Sequence, residues 1–318
     1  MIKQKITLIL GAGTSYPYGF PLGTKLMDNV IKDLQEENGA RSHEFTELLK
    51  GMGFDYKLQQ KFAKELDGSK LPSIDAFLQE RGTEFQALGK TAIAAALIPY
   101  ERPDNVMLMD SRLSSKEQGR RWYHYLLDML GRSKDFPDNN LSIITFNYDR
   151  SIEYFFFNTI KYRFGLNEQE AIRLLKTIPI VHFYGQLGKF DFLDPNGRAY
   201  SPEVNPTSVK KCVNEIHLMY EERDELDSTF SYQAAYDVIK ETQSLIFLGF
   251  GYHEPNLERL KLREYFTGGE IVASFCGKKD GEKARDRERL LLYTSHRLKP
   301  KLYDGTVLGF LQDTDYLK

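Results

Sequence analysis

The stretch that decides the fold is residues 6–15, which read Ile6-Thr7-Leu8-Ile9-Leu10-Gly11-Ala12-Gly13-Thr14-Ser15. Its first five residues are apolar or β-branched and predict a buried strand that ends in a tight turn at Gly11. Because glycine has no Cβ, backbone amides of this turn can come within hydrogen-bond distance of a phosphate. A helix predicted from about Gly23 points its positive end at the same place. The stretch therefore predicts a nucleotide site in an α/β fold.

Three later strands are also followed at once by polar or glycine residues. The apolar run 141–146 leads into Asn147-Tyr148-Asp149, the short run 178–181 leads into His182-Phe183-Tyr184-Gly185, and 244–248 leads into Gly249-Phe250-Gly251. Open α/β sheets bind their ligands at the carboxyl ends of their strands. We therefore expect these groups to meet the first glycine turn at one edge of a mostly parallel, Rossmann-like sheet.

The segment between Arg41 and Arg132 has helical periodicity and no convincing strand pattern. We predict a nucleotide-binding domain of residues 1–37 and 141–318, interrupted by a helical insertion of residues 38–140. The helices expected in the insertion are Phe45–Leu49, Leu58–Leu66, Ile74–Arg81, Phe85–Leu97 and Trp122–Leu130. In the rest of the chain we expect helices at 24–35, 151–161, 229–242, 255–266 and 283–293, and strands at 215–221, 270–275 and 299–303. We expect a surface loop or an irregular hairpin at 191–207.

The composition is that of an ordinary globular protein, with 318 residues, 41% hydrophobic residues, 28% charged residues and a net charge of −2. This charge predicts no broad attraction to nucleic acid or to an anionic membrane, and no apolar run is long enough to span a bilayer. Cys212 and Cys276 are the only cysteines. Two isolated cysteines can build neither a disulfide framework nor a four-thiolate zinc site, so we expect no metal and a reducing cytoplasm.

The residues after the first turn distinguish two kinds of nucleotide site. A dehydrogenase fingerprint requires a third glycine at position 16, which is Tyr16, and an acidic residue after a second strand. Instead, Gly19-Phe20-Pro21 follows Gly11-Ala12-Gly13-Thr14-Ser15 at short range. Together with Phe146-Asn147-Tyr148-Asp149 and the late glycine loop, this ordered set resembles the sirtuin superfamily, and in particular the bacterial sirtuin-like NAD-consuming proteins of antiphage defence.

The resemblance implies NAD+ as the substrate and assigns roles to residues. The first glycine loop would hold the cofactor phosphates, Asn147 and Asp149 would lie by the nicotinamide ribose, His182 would supply a base, and the late glycine loop would hold the adenosine side. The residues expected to contact NAD+ are Gly11, Ala12, Gly13, Thr14, Ser15, Phe20, Pro21, Phe146, Gly185, Gly249, Phe250, Gly251 and Asn256.

The chain also departs from protein-deacylating sirtuins. Pro21 is followed by Leu22-Gly23-Thr24 where those enzymes carry Asp-Phe-Arg, and the four-cysteine zinc module is missing. Both differences favour an NAD+ glycohydrolase, which releases nicotinamide and ADP-ribose and depletes NAD+ in an abortive antiphage response. A protein deacylase or ADP-ribosyl transferase, and a non-catalytic nucleotide-binding subunit of a defence complex, remain as alternatives.

A free NADase would kill its own cell, so its chemistry implies restraint. We expect a homo-oligomer or control by a partner, and the resemblance suggests an ATPase of the HerA family or an Argonaute.

Each site residue also has a purely structural explanation. Asn147 could cap the following helix, and Asp149 could favour its N-terminus through the helix dipole. His182 could be a core histidine bonded to a backbone carbonyl. Gly249 and Gly251 could serve only to make a tight turn.

Overall fold

A computed structural model describes residues 1–36, 39–81, 83–107, 121–218, 229–294 and 300–317. Its centre is a six-stranded, all-parallel sheet with the order β3-β2-β1-β4-β5-β6. The strands are β1 (Ile6–Leu10), β2 (Leu141–Thr145), β3 (Ile180–His182), β4 (Ser244–Leu248), β5 (Glu270–Phe275) and β6 (Lys301–Asp304). The α/β, Rossmann-like fold predicted from the sequence is confirmed.

Helices flank the sheet. They are α1 (Gly23–Gln35), α2 (Ala40–Gly51), α3 (Tyr56–Ser69), α4 (Ile74–Arg81), α5 (Gln86–Leu97), α6 (Pro103–Met107), α7 (Arg121–Leu130), α8 (Ser151–Phe164), α9 (Glu168–Leu175), α10 (Pro206–Glu215), α11 (Thr229–Glu241), α12 (Glu254–Arg259), α13 (Leu262–Tyr265), α14 (Asp280–Tyr293) and α15 (Val307–Asp313). In the described part of residues 39–140, every regular element is helical. Among all the described residues, no helix is both long and apolar enough to cross a membrane.

The core strands are β1 and β4, whose residues are all buried. Ile6 pairs with Leu141 of β2 on one side and with Ser244 of β4 on the other. Because both faces of each strand are covered, neither face is exposed to water, and this explains the continuous apolar run in the sequence. The two central strands therefore carry their C-terminal loops to the same edge of the sheet.

Several predicted elements need correction. The strand expected at 215–221 is wrong, because α10 extends to Glu215 and only an isolated antiparallel bridge joins Ile216 to Gly185; residues 219–221 lie outside the described residues. The loop expected at 191–207 ends early, since Asn205 caps α10. The helix expected at 255–266 is divided at Lys261, which has a left-handed φ of 46°. The last strand begins at Lys301, and residue 299 lies outside the described residues.

Candidate active site

The strand order reverses between β1 and β4. From β1 the chain adds β2 and β3 on one side of the sheet, and it then adds β4, β5 and β6 on the other side. The crevice at such a switch point is where open α/β sheets bind dinucleotides. The loops that follow β1, β2 and β4 all reach this crevice. Three of the four groups predicted at strand ends are therefore brought together by the sheet itself.

The first and last glycine loops pack backbone against backbone. The amide of Gly11 donates to Leu248 O at 3.1 Å, and that of Gly13 donates to Gly249 O at 3.0 Å. A Cβ on Gly11 would lie 2.6 Å from Gly249 O. These glycines are thus required by the contact between the loops. Of the amides at 11–15, only that of Ala12 has no acceptor in the described part of the chain.

A substitution at Gly249 would test this packing directly. It has φ of 56°, and a Cβ there would lie 2.5 Å from Thr14 N. We expect Gly249→Ala to lower the free energy of unfolding by at least about 2 kcal/mol, because left-handed backbone and a backbone clash both oppose the methyl group. Urea denaturation of the purified protein measures this. The control is Gly281→Ala in α14, where a Cβ would meet nothing within 4 Å, and equal destabilisation by both changes would contradict the argument.

Asn147 holds the first glycine loop through its side chain. Its Nδ2 lies 3.1 Å from Gly11 O, 3.2 Å from Thr14 Oγ1 and 3.0 Å from Ser15 Oγ. No side chain caps α8 at its N-cap residue, Arg150. Asn147 is therefore not a helix cap. Its carboxamide links the ends of β1 and β2 in the crevice.

Asp149 contacts both the start of α8 and the first glycine loop. One of its carboxylate oxygens accepts hydrogen bonds from the amide of Ser151, at 3.1 Å, and from the Ser151 hydroxyl. Burial raises the pKa of Asp149, while hydrogen bonds from Ser15 and Ser151 act in the opposite direction. The carboxylate thus ties the start of α8 to the first glycine loop.

His182 lies next to Asn147, with both ring nitrogens hydrogen-bonded. Its Nδ1 lies 2.9 Å from Asn147 O, so it donates to that carbonyl, and its Nε2 lies 2.5 Å from Glu153 Oε1. The His182 side chain is only 8% exposed. Burial lowers the pKa of His182, but the Glu153 carboxylate and the Asn147 carbonyl outweigh it, and the net pKa is raised. The His182 ring thus clamps the backbone of Asn147 and is itself held by Glu153.

This clamp makes stability depend on pH. A group whose pKa is raised by folding stabilises the protein below its unfolded pKa, about 6.5 for histidine, and that stabilisation is lost as pH rises through the folded value. We therefore expect Glu153→Gln to cost on the order of 1–3 kcal/mol at about pH 6 and less at about pH 9. Urea midpoints at both pH values measure the difference. Glu168→Gln, an exposed acid in the first turn of α9, is the control. A cost that does not change with pH would contradict the ion pair.

The remaining predicted residues fall into two groups. Phe146 stacks on Phe183 with ring centroids 4.7 Å apart and meets Phe250 edge-on at 4.9 Å, so the two predicted aromatics pack against each other at the ends of β2 and β4. Asn256 accepts a hydrogen bond from the Tyr184 hydroxyl at 3.0 Å. Gly185 has another evident reason to be glycine, since a Cβ there would lie 1.7 Å from Glu215 O.

The start of the Gly19-Phe20-Pro21 segment is also packed in place. Phe20 is buried against Tyr100, with ring centroids 6.1 Å apart. The Phe20 amide donates to Ser15 O at 3.4 Å. Phe20 therefore supports the shape of the loop from within the core, while Pro21 is only partly buried.

Two supports of the site were not predicted from the sequence. In α7, the Trp122 indole donates to Thr14 O at 3.0 Å, and the Tyr123 hydroxyl lies 2.6 Å from Ser151 Oγ. Glu101 is fully buried and pairs with Arg150, whose Nη2 lies 2.6 Å from Glu101 Oε2, and with Arg198. Both sets of contacts join residues that are far apart in the chain, so no local sequence pattern predicts them.

Among the described residues, no three His, Cys, Asp or Glu side chains are grouped so that they could hold a metal ion. No protein-family model matches the chain, and a search of curated proteins gives no match. The resemblance to sirtuin-like proteins therefore depends on the motifs quoted above.

Proposed function

We propose that the protein is an NAD+ glycohydrolase that breaks the bond between nicotinamide and ribose. The observation that supports this most is the position of Asn147. Its carboxamide contacts the first glycine loop at 3.0–3.2 Å, in the crevice where the strand order changes. A group that both donates and accepts hydrogen bonds is suited to orient a ribose or a nicotinamide amide there.

The reaction builds positive charge on the ribose, as in sugar hydrolysis generally. An enzyme must orient the nicotinamide, stabilise that charge and admit water. In our proposal Asn147 orients the ribose, while the buried carboxyl group of Asp149, two residues along the chain, supplies negative potential nearby. The Ala12 amide, which has no acceptor in the described part of the chain, and the backbone amides at 249–251 are the candidate donors to the cofactor phosphates.

His182 has two possible roles in this proposal. As a base it would first have to leave Glu153, because both of its nitrogens are hydrogen-bonded. As an anchor it would act through the backbone of Asn147 without touching the substrate. The contacts favour the anchor.

The test is to incubate the purified protein with NAD+, with and without an acetylated peptide, and to measure nicotinamide. Release without peptide supports the glycohydrolase. Release only with peptide would indicate a deacylase or ADP-ribosyl transferase, and NAD+ binding without turnover would indicate a non-catalytic subunit. The assay should cover a range of protein concentrations, since the proposal includes restraint by oligomerisation or by a partner such as a HerA-family ATPase or an Argonaute.

A further inference from the structure

Hydrolysis of NAD+ by the proposed reaction leaves one proton to be accepted, because the attacking water becomes a hydroxyl group of ADP-ribose. His182 is poorly placed to accept it. Its Nδ1 donates to Asn147 O, its Nε2 is held by Glu153, and its side chain is 8% exposed. Another group at the carboxyl edge must then take the proton.

Asp75 is an ionisable group of the insertion that reaches this edge. It lies in the first turn of α4, and the Tyr148 hydroxyl donates to its Oδ1 at 2.7 Å. Tyr148 is the neighbour of Asn147 in the chain. Ser73, which caps α4, lies beside the start of α1. Its Cβ is 3.9 Å from the position that a Cβ on Gly23 would take. The N-terminus of α4 therefore bridges the segment after Pro21 and the end of β2.

The surroundings of Asp75 are polar but contain no paired cation. None of the ion pairs among the described residues includes Asp75. The Tyr148 hydroxyl contacts Asp75 directly, and burial together with the charge of Asp75 raises the pKa of the neighbouring Tyr184. The Tyr148 hydroxyl also lies 3.4 Å from the backbone carbonyl of His217. Burial raises the pKa of Asp75, and the hydrogen bond from Tyr148 opposes that rise. A carboxylate that accepts hydrogen bonds from the Tyr148 hydroxyl and from its own backbone amide, with no salt bridge among the described residues, keeps the capacity to accept a proton.

We propose that Asp75, held by Tyr148, is the base that activates water for NAD+ cleavage. The water oxygen forms a bond to the ribose C1′ as the bond from C1′ to the nicotinamide nitrogen breaks. The electron pair of that bond leaves with nicotinamide, which becomes neutral, and the proton of the water passes to the Asp75 carboxylate. This inference depends on the glycohydrolase function proposed above.

The test compares Asp75→Asn with Asp67→Asn in the full-length chain. Asparagine keeps the shape of Asp75 and an acceptor for the Tyr148 hydroxyl, but it cannot take a proton. We expect kcat for NAD+ hydrolysis to fall by about 100-fold, the lower end for a positioned base, with KM changed by less than about 3-fold. Asp67 is an exposed acid of α3 whose partner is Lys70, and its substitution should leave both constants unchanged.

The pH profile separates a base from a structural role. In the unaltered protein kcat should fall as pH falls through the pKa of Asp75, and Asp75→Asn should lose that acid limb. Tyr148→Phe should move the limb to higher pH, because it removes a hydrogen bond that favours the carboxylate. A rate close to normal in Asp75→Asn, or a reduced rate with the acid limb unchanged, would overturn the assignment.

These outcomes differ from failure of the proposed function. If the unaltered chain releases no nicotinamide at any concentration, the glycohydrolase proposal falls and this inference falls with it. If the unaltered chain is active and Asp75→Asn is equally active, only the inference about Asp75 is lost.

Discussion

Asn147→Ala is expected to lower the rate of nicotinamide release from NAD+ by at least about 100-fold while the protein stays folded. The substitution removes the Nδ2 group that lies within 3.2 Å of Gly11 O, Thr14 Oγ1 and Ser15 Oγ. It leaves the backbone carbonyl that accepts the hydrogen bond from His182. The orienting group is therefore lost while the clamp beneath it remains, and the measurement is nicotinamide formation at saturating NAD+.

The matched control is Asn158→Ala in α8. The Nδ2 of Asn158 donates within its own helix, to Tyr154 O at 2.8 Å. The control should keep the activity of the unaltered protein. His182→Ala should also lose at least about 100-fold, whether the imidazole is a base or an anchor. Near-normal turnover in either active-site variant would remove that residue from the proposed mechanism.

The parts of the fold that were predicted correctly have strong local signals. β1 and β4 are continuous apolar runs because both faces are covered, and each ends at a glycine. Helix α4 has the predicted bounds, Ile74–Arg81, and Ser73 Oγ accepts from the Ala76 amide at 3.1 Å, as an N-cap does. The strand predicted at 215–221 was wrong because the local signal there was weak. Helix α10 is short, and its N-terminal signal, Asn205-Pro206, lies inside a segment rich in turn residues.

The candidate site was predictable as a location but only partly as a set of contacts. Parallel strands bring their ends together, so the meeting of Asn147 with the first glycine loop follows from the sheet. Partners supplied by helices do not. Glu153 reads as an ordinary acid in a first helical turn, yet it holds His182. Asp75 reads the same way in α4, and only the packing of the insertion places it beside Tyr148.

The glycines show a second limit. A sequence indicates where the chain lacks a Cβ, but it does not indicate what approaches that position. At Gly11 and Gly13 the approaching group is the backbone of the β4 loop, whose carbonyls accept their amide hydrogens. In the proposed function, contact with a phosphate would therefore fall to the backbone amides that this packing does not use.

The largest effect on stability is expected for Glu101→Gln. Glu101 and Arg150 are completely buried, and Arg198 is 6% exposed at its side chain. Arg150 donates to both carboxylate oxygens of Glu101, at 2.9 Å and 2.6 Å. A neutral amide has nearly the same shape but leaves two buried guanidinium groups without an anion. Breaking a buried ion pair in this way costs about 3–5 kcal/mol, which urea denaturation would measure.

The comparison that makes this result specific is Glu241→Gln. Glu241 pairs with Lys5 at 3.2 Å, and the two side chains are 73% and 54% exposed. Exposed pairs of this kind contribute about 0–1 kcal/mol, so this variant should unfold near the midpoint of the unaltered protein. Equal midpoints for both variants would show that Glu101 contributes little to stability.

A large loss for Glu101→Gln alone would mean that the ion pair between Glu101 and Arg150 fixes the start of α8, because Arg150 follows Asp149 directly. At urea concentrations below its unfolding midpoint, the Glu101→Gln variant should then cleave NAD+ more slowly than the unaltered protein, because the crevice is less well ordered.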